Sequence, residues 1–196
     1  MEEQAVTLQT YRSGVETYAA LTPDTVDGSM KIWLDAGFEG LPGSCSVFEL
    51  GSATGRDAVY LRAAGFMNIL CSDAVEQFFP ALKEAGFPAV SFNAVSDDFP
   101  HVFDVVLANA VLLHFTRSQF RDVLRKTFDG LVSGGRFLFS VKQGSGEGWT
   151  TEKMDAPRFF CYWNGESVVE ELSAVGFQVP VLMEDDLWVY VVAVKP

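Results

Sequence analysis

The sequence predicts an α/β fold in which a mostly parallel sheet carries helices on both faces. Three observations predict it. The first is Val47-Phe48-Glu49-Leu50-Gly51-Ser52-Ala53-Thr54-Gly55-Arg56-Asp57, an apolar run that enters a glycine-paced turn and passes directly into a helical pattern. The second is Ile69-Leu70-Cys71-Ser72-Asp73, a short apolar run that ends in an acid one helix further on, about 20 residues beyond the turn, as in a β-α-β unit. The third is the alternation of short apolar runs with helical patterns from Val47 onward, the signature of a parallel sheet wound on both faces.

Taken in order, residues 1–40 hold Tyr11, Tyr18, Met30, Ile32, Trp33, Leu34 and Phe38 in mixed helical spacing, broken at Thr22-Pro23-Asp24 and at Gly37. Two helices are expected there, forming a cap over one sheet face. Strands are expected near 46–50, 68–72, 89–92, 103–108 and 136–141. Between Ser118 and Leu131, Phe120, Val123, Leu124, Thr127, Phe128 and Leu131 fall on one stripe, while Arg121, Asp122, Arg125 and Lys126 fall outside it. That helix packs its stripe into the core. A further helix spans Gly165–Val175, with Asn164 as its cap and Gly176 as its stop. The runs Gln178–Glu184 and Leu187–Val194 are joined by the short loop Glu184-Asp185-Asp186, so they pair as an antiparallel C-terminal hairpin.

The 196 residues suit one ordinary domain, and 48% hydrophobic content with 17 Phe supplies one large core. The domain is expected to span 1–196, with 1–40 as the helical cap and 41–196 as the core. A net charge of −12 argues against gripping nucleic-acid backbones, which requires clustered Lys and Arg. No apolar run approaches the ~20 residues of a membrane span, and Met1-Glu2-Glu3-Gln4 lacks the basic start of a secretory signal. A cytoplasmic location is expected. Cys45, Cys71 and Cys161 are odd in number and widely spaced, and His101 and His114 have no helical pairing, so neither a disulfide framework nor a metal site is expected.

Gly51 and Gly55 can adopt backbone angles closed to other residues and keep side chains away from a ligand on the turn. The helix starting near Arg56 aims its free amides at the same place. Asp73 can accept both hydroxyls of a ribose, or serve only as a strand-end cap.

At these residues the chain resembles the class I S-adenosylmethionine-dependent methyltransferases, whose first motif has the form acid-x-Gly-x-x-x-Gly and whose second strand ends in an acid. Glu49, Gly51, Gly55 and Asp73 match it. Phe103-Asp104-Val105-Val106-Leu107-Ala108-Asn109-Ala110-Val111-Leu112-Leu113-His114 resembles the family's fourth strand and the loop after it. Leu131-Val132-Ser133-Gly134-Gly135 resembles its turn before the fifth strand, with Val132 and Ser133 where the family usually has a charged residue and proline. Ala174-Val175-Gly176-Phe177 resembles the turn before its sixth strand. The resemblance covers roughly residues 40–196 and implies a Rossmann-like, seven-stranded, mostly parallel sheet.

It also implies S-adenosylmethionine as cofactor, S-adenosylhomocysteine as product, and a small-molecule acceptor, with neither nucleic acid nor membrane as partner. Gly51, Ser52, Ala53 and Gly55 would border the methionine and ribose, Asp73 would hold the ribose beside Ala74, and Asn93 with Ala94 would flank the adenine. Asn109 and Ala110 would lie near the sulfonium, His114 would border the pocket, and Tyr18, rather than Tyr11, would touch the methionine end. Asn93 is equally a turn-forming residue, and His114 equally a structural histidine or a base.

Ala53 stands where the family most often has a third glycine, and it is strained if its φ is positive. On the acceptor side, the glycine-rich stretch 142–149 is either a surface loop or a lid that brings Glu147 and Trp149 to the pocket. Arg158 and Tyr162 would orient an anionic or aromatic acceptor, or form a packed edge. Methyl transfer needs a general base only for a hydroxyl or a protonated amine, so no catalytic residue is assigned. The competing function is a catalytically silent, cofactor-binding regulatory or scaffolding protein with the same fold. A nicotinamide enzyme would need Gly-x-Gly-x-x-Gly and a substrate half, and neither is present. The acceptor atom and the oligomeric state are not written in the sequence.

Overall fold

The structure, a computed structural model, describes residues 2–196. Three helices come first: α1 (Glu2–Ser13), α2 (Val15–Leu21) and α3 (Gly28–Phe38). The alternating part follows as β1 (Ser46–Leu50), α4 (Arg56–Ala63), β2 (Asn68–Asp73), α5 (Phe79–Glu84), β3 (Ala89–Ser91), β4 (Phe103–Ala108), α6 (Arg117–Asp129) and β5 (Leu131–Lys142). Then come β6 (Glu147–Thr150), β7 (Arg158–Cys161), α7 (Gly165–Val175), β8 (Gln178–Glu184) and β9 (Trp188–Val194). Single 3-10 turns at Glu76–Phe78 and Leu112–His114 follow β2 and β4.

The seven-stranded sheet has the order β3-β2-β1-β4-β5-β9-β8. Strands β3, β2, β1, β4 and β5 are parallel, while β9 pairs antiparallel with both β5 and β8. The chain winds outward from β1 to β3, then returns to place β4 on the other side of β1. Strand order therefore reverses between β1 and β4, where open α/β sheets bind ligands beyond their carboxyl ends.

Period-two alternation sorts the strand residues onto two faces. Phe48, Val106, Phe137 and Phe139 join Phe120 and Leu124 of α6 in one core. Val47, Val105, Leu107 and Leu138 join Trp33 and Leu34 of α3 and Leu61 of α4 in the other. The expected stripe of α6 buries Phe120, Val123, Leu124 and Thr127. A capping box starts that helix: the Thr116 hydroxyl accepts from the Gln119 amide, and Gln119 Oε1 accepts from the Thr116 amide at 2.9 Å. Helix α7 begins at the expected cap, with Asn164 Oδ1 accepting from the Ser167 amide at 2.9 Å, and ends at Gly176 with φ +108°.

Three differences from the sequence expectation have physical causes. The N-terminal segment holds three helices rather than two, because Gly14 interrupts the first, with the Met154 methyl packed against it where a Cβ would lie 2.6 Å away. The fifth strand begins earlier than expected, at Leu131, with its pairing to β4 shifting register between Phe103 and Val105 to accommodate Gly134 and Gly135. The segment expected as a loop or lid is in part a strand, since Glu147–Thr150 pairs antiparallel with Arg158–Cys161 to form a separate two-stranded sheet.

Candidate active site

The turn after β1 is built by backbone geometry. Gly51 has φ +65°, and a Cβ on it would lie 2.5 Å from Val111 Cγ2, so both its conformation and the approach of the β4 loop exclude a side chain. Gly55, at φ +86°, precedes the first residue of α4. Ser52 ties the turn to β2: its amide donates to the Ser72 carbonyl at 2.9 Å, and its hydroxyl accepts from the Ser72 amide at 3.1 Å. Ala53 has φ +46°, which is the strained alternative foreseen from sequence. For alanine this left-handed conformation costs on the order of 1 kcal/mol. Ala110, in the loop after β4, has φ +58° and shares this feature.

Beneath the turn lies Glu49, 3% exposed, with the Cys71 thiol 3.4 Å from its Oε2. Burial first, and the nearby Asp57 charge second, push its carboxyl up from the ordinary range. Asp57 in turn is held by Arg56 Nε at 2.7 Å and by Asn109 Nδ2 at 2.7 Å. Asn109 Oδ1 accepts from the Ser140 hydroxyl, which accepts from the Ala110 amide at 2.9 Å. One polar chain thus fixes the ends of β4 and β5 against the start of α4, and it explains why Asn109 cannot be a free side chain.

Asp73 ends β2 with its carboxylate turned back to the first turn. Oδ2 accepts from the Ala53 amide at 3.0 Å and Oδ1 from the Val75 amide at 2.8 Å. Burial pushes its carboxyl up to about 6, against the opposing pull of these backbone donors. Each carboxylate oxygen has about two acceptor positions, so one remains on each for a ligand hydroxyl. Asn93 is largely committed within the protein: Oδ1 accepts from Gln4 Nε2 at 2.7 Å and from the Val95 amide at 3.0 Å. Its turn role and its place in the cleft therefore coexist.

The opposite wall joins α1, the 3-10 turn after β4, and β7. His114 Nδ1 lies 2.8 Å from the Phe159 carbonyl, which can only accept, so Nδ1 carries the proton and Nε2, 2.9 Å away, accepts from the Tyr11 hydroxyl. Burial drives the imidazole down to about 4, so His114 is neutral with its lone pair already used. Its ring is thus tied at both nitrogens, to Phe159 and to Tyr11. The Tyr11 hydroxyl also accepts from Arg158 Nη1 at 3.2 Å. Two threonines of α1 complete the latch: Thr10 donates to the Pro157 carbonyl at 2.7 Å, and Thr7 Oγ1 accepts from the Phe159 amide at 3.0 Å.

Of the residues singled out from sequence, Tyr18, Gly51, Ala53, Asp73, Ala74, Asn93, Ala94, Asn109, Ala110 and His114 line one cleft. Glu49 and Ser52 line a recess that adjoins it at Gly51, Ala53 and Tyr18. Gly55 shapes the turn without lining either. On the acceptor side, none of Glu147, Trp149, Arg158 and Tyr162 lines the cleft, although Arg158 reaches the Tyr11 hydroxyl behind its wall. Glu147 is exposed and accepts from the Arg117 amide at 3.3 Å, Trp149 is 49% exposed with its ring edge-on to Phe159 of the neighbouring strand, and Tyr162 packs beside Phe160. Glu147 and Trp149 lie on β6, which pairs with β7 in the small sheet, and Tyr162 follows β7.

Gln4 and Leu8 of α1 also line the cleft and were missed, and Tyr11, passed over in favour of Tyr18, lines it as well. Their i, i+4, i+7 spacing was the available signal. Tyr11 and Tyr18 stand edge-to-face with centroids 5.5 Å apart, so the choice between them was unnecessary.

Comparison with known proteins agrees with this geometry. Residues 48–139 match the family model described as a methyltransferase domain, a span that contains the first turn, Asp73 and the loop after β4. Among solved structures, the 1,6-didemethyltoxoflavin-N1-methyltransferase of Burkholderia thailandensis superposes with a TM-score of 0.75 at 21% identity, covering 99% of this chain and 89% of that one. An S-adenosylmethionine-dependent methyltransferase of Mesorhizobium loti has a TM-score of 0.67 at 16% identity, covering 82% and 96%. The glycopeptide N-methyltransferase MtfA, solved with S-adenosylmethionine, has a TM-score of 0.69 at 16% identity, covering 87% and 95%. No curated protein matches the sequence significantly. A methyltransferase-domain model thus matches the centre of the chain, and the fold is the one that S-adenosylmethionine-dependent methyltransferases share.

Proposed function

We propose that the protein transfers a methyl group from S-adenosylmethionine to a small-molecule acceptor. The observation that carries this reading is the convergence, at the sheet's switch point, of a side-chain-free turn at Gly51 with a buried Asp73 whose two oxygens each keep one acceptor position. The residues present fit the cofactor: Gly51 keeps its turn free of a side chain at the cleft, Asp73 can take the ribose hydroxyls, and Phe92, Asn93 and Ala94 provide an apolar slot with an amide at its edge. When bound, S-adenosylmethionine supplies a methyl group already activated by a cationic sulfur.

The chain's own residues then position and enclose. Asp73 and the turn fix one end, Tyr11 and Tyr18 cover the cleft with aromatic surface, and the α1 latch to β7 keeps water out. His114 orients Tyr11. A small acceptor is favoured by the enclosed cleft under α1 and by the acidic surface. The test is transfer of labelled methyl from S-adenosylmethionine to a panel of small acceptors, followed by release of S-adenosylhomocysteine. Labelled product with wild type and none with Asp73→Ala supports the reading. Cofactor uptake with no turnover on any acceptor would instead favour a silent binding protein.

A further inference from the structure

Beside the aromatic wall of the cleft, without lining it, stand cations that have no ion-pair partner among the described residues. Lys153 Nζ lies 4.3 Å above the Tyr18 ring and donates to the Thr22 hydroxyl at 2.7 Å. Arg158 stands beside Tyr11, its guanidinium carbon 5.9 Å from the ring centroid. Because Tyr11 and Tyr18 pack edge-to-face and both wall the cleft, these two cations flank the same aromatic pair. Lys142 ends β5, at the same carboxyl end of the sheet, with Nζ 4.0 Å over Trp188.

Among the described residues, no carboxylate lies within ion-pair distance of Lys142, Lys153 or Arg158. Glu152 and Asp185 act on Lys142 only from further away, and the Asp57 carboxylate is taken by Arg56 and Asn109. Arg158 is 5% exposed, donates to the Tyr11 hydroxyl and the Glu152 carbonyl, and has a buried Nε with no partner.

A buried guanidinium ordinarily needs an anion, since desolvation costs several kcal/mol per ion. In a chain with 26 acidic and 14 basic residues, partners were available. Lys153 is instead held below its usual range, first by burial and then by repulsion from Arg158, Arg56 and Lys142.

Resting on the methyltransferase reading, we infer that the acceptor carries a carboxylate, which docks against Lys142, Lys153 and Arg158 and supplies the missing negative charge. The cofactor's own carboxylate is the other source of such a group, and the test separates the two. Wild type and the Lys142→Met/Lys153→Met double variant are titrated with S-adenosylhomocysteine by calorimetry. Both are then assayed for methyl transfer to aromatic and aliphatic carboxylic acids, each beside its primary amide.

The expected result is a KM for acids about tenfold or more below that of their amides, lost in the double variant and restored in Lys142→Arg/Lys153→Arg, with S-adenosylhomocysteine affinity nearly unchanged. No preference for acids overturns the inference while leaving the methyltransferase reading intact. So does a loss of S-adenosylhomocysteine affinity of about tenfold in the double variant without loss of acid preference, which assigns the cations to the cofactor. Failure of wild type to bind S-adenosylhomocysteine is read from the calorimetry alone; it overturns the parent reading and this inference with it.

Discussion

The two walls of the cleft are built by different means. The β1–β2 wall is a product of backbone: Gly51 with its positive φ, the amides of Ala53 and Val75 on Asp73, and the Ser52–Ser72 ties all lie within about one β-α-β unit. The opposite wall is a product of side chains brought from three distant stretches, with Tyr11, His114 and Arg158 joined by hydrogen bonds. A backbone-built wall tolerates little change at few positions. A side-chain-built wall can be altered one contact at a time, which suits a fixed cofactor faced by a variable acceptor.

The largest expected effect falls on the backbone-built wall. Asp73→Ala removes two charge-assisted acceptor positions and should weaken S-adenosylhomocysteine binding by roughly a hundredfold, about 3 kcal/mol at the usual strength of hydrogen bonds to a charged group. The same carboxyl gives a pH signature. Cofactor binding favours its ionised form, so affinity should be flat above neutrality and fall by about tenfold per unit as pH drops below about 6. Calorimetry across pH, with Asp73→Asn as the flat control, checks this.

Gly51→Ala comes next. It places a methyl 2.5 Å from Val111 Cγ2 at a φ of +65°, and it should lower the unfolding free energy by about 2 kcal/mol. Val111→Ala in the same chain should recover part of that loss in chemical denaturation, because it removes the clash but not the backbone strain.

Breaking the side-chain wall should cost less. Tyr11→Phe leaves the buried His114 Nε2 without its donor, an expected loss of about 1–2 kcal/mol. With the imidazole freed from the Tyr11 hydroxyl, α1 should show faster amide exchange than in wild type, while α6 stays protected. An unchanged exchange pattern would mean that Thr7 and Thr10 alone hold the latch. The smallest effect is expected at Ala53→Gly, which relieves the φ of +46° and should raise stability by about 0.5–1 kcal/mol in thermal unfolding.

The same contrast explains what the sequence made legible. The sheet was readable because its signals are local: apolar runs of strand length, the Asn164 cap, the Gly176 stop and the short loop before the last strand. The first wall was readable because Gly51, Gly55 and Asp73 sit at fixed short spacings. The second wall was not, since nothing local marks Tyr11 as the partner of a histidine 103 positions away. Glu147, Trp149 and Tyr162 drew attention by residue type, but Glu147 and Trp149 are taken up in the β6–β7 pairing, which nothing in the glycine-rich stretch marks. Ala53 shows a further limit, because the sequence left the sign of its φ open and only the loop around it fixes a positive one.

The most direct test of the central claim is calorimetric titration of S-adenosylhomocysteine into wild type stripped of carried-over cofactor and into Asp73→Ala. Micromolar binding at one site, weakened roughly a hundredfold in a variant that remains folded, is the predicted result. No binding to folded wild type, or equal affinity in both proteins, would contradict the account of how this cleft holds its cofactor.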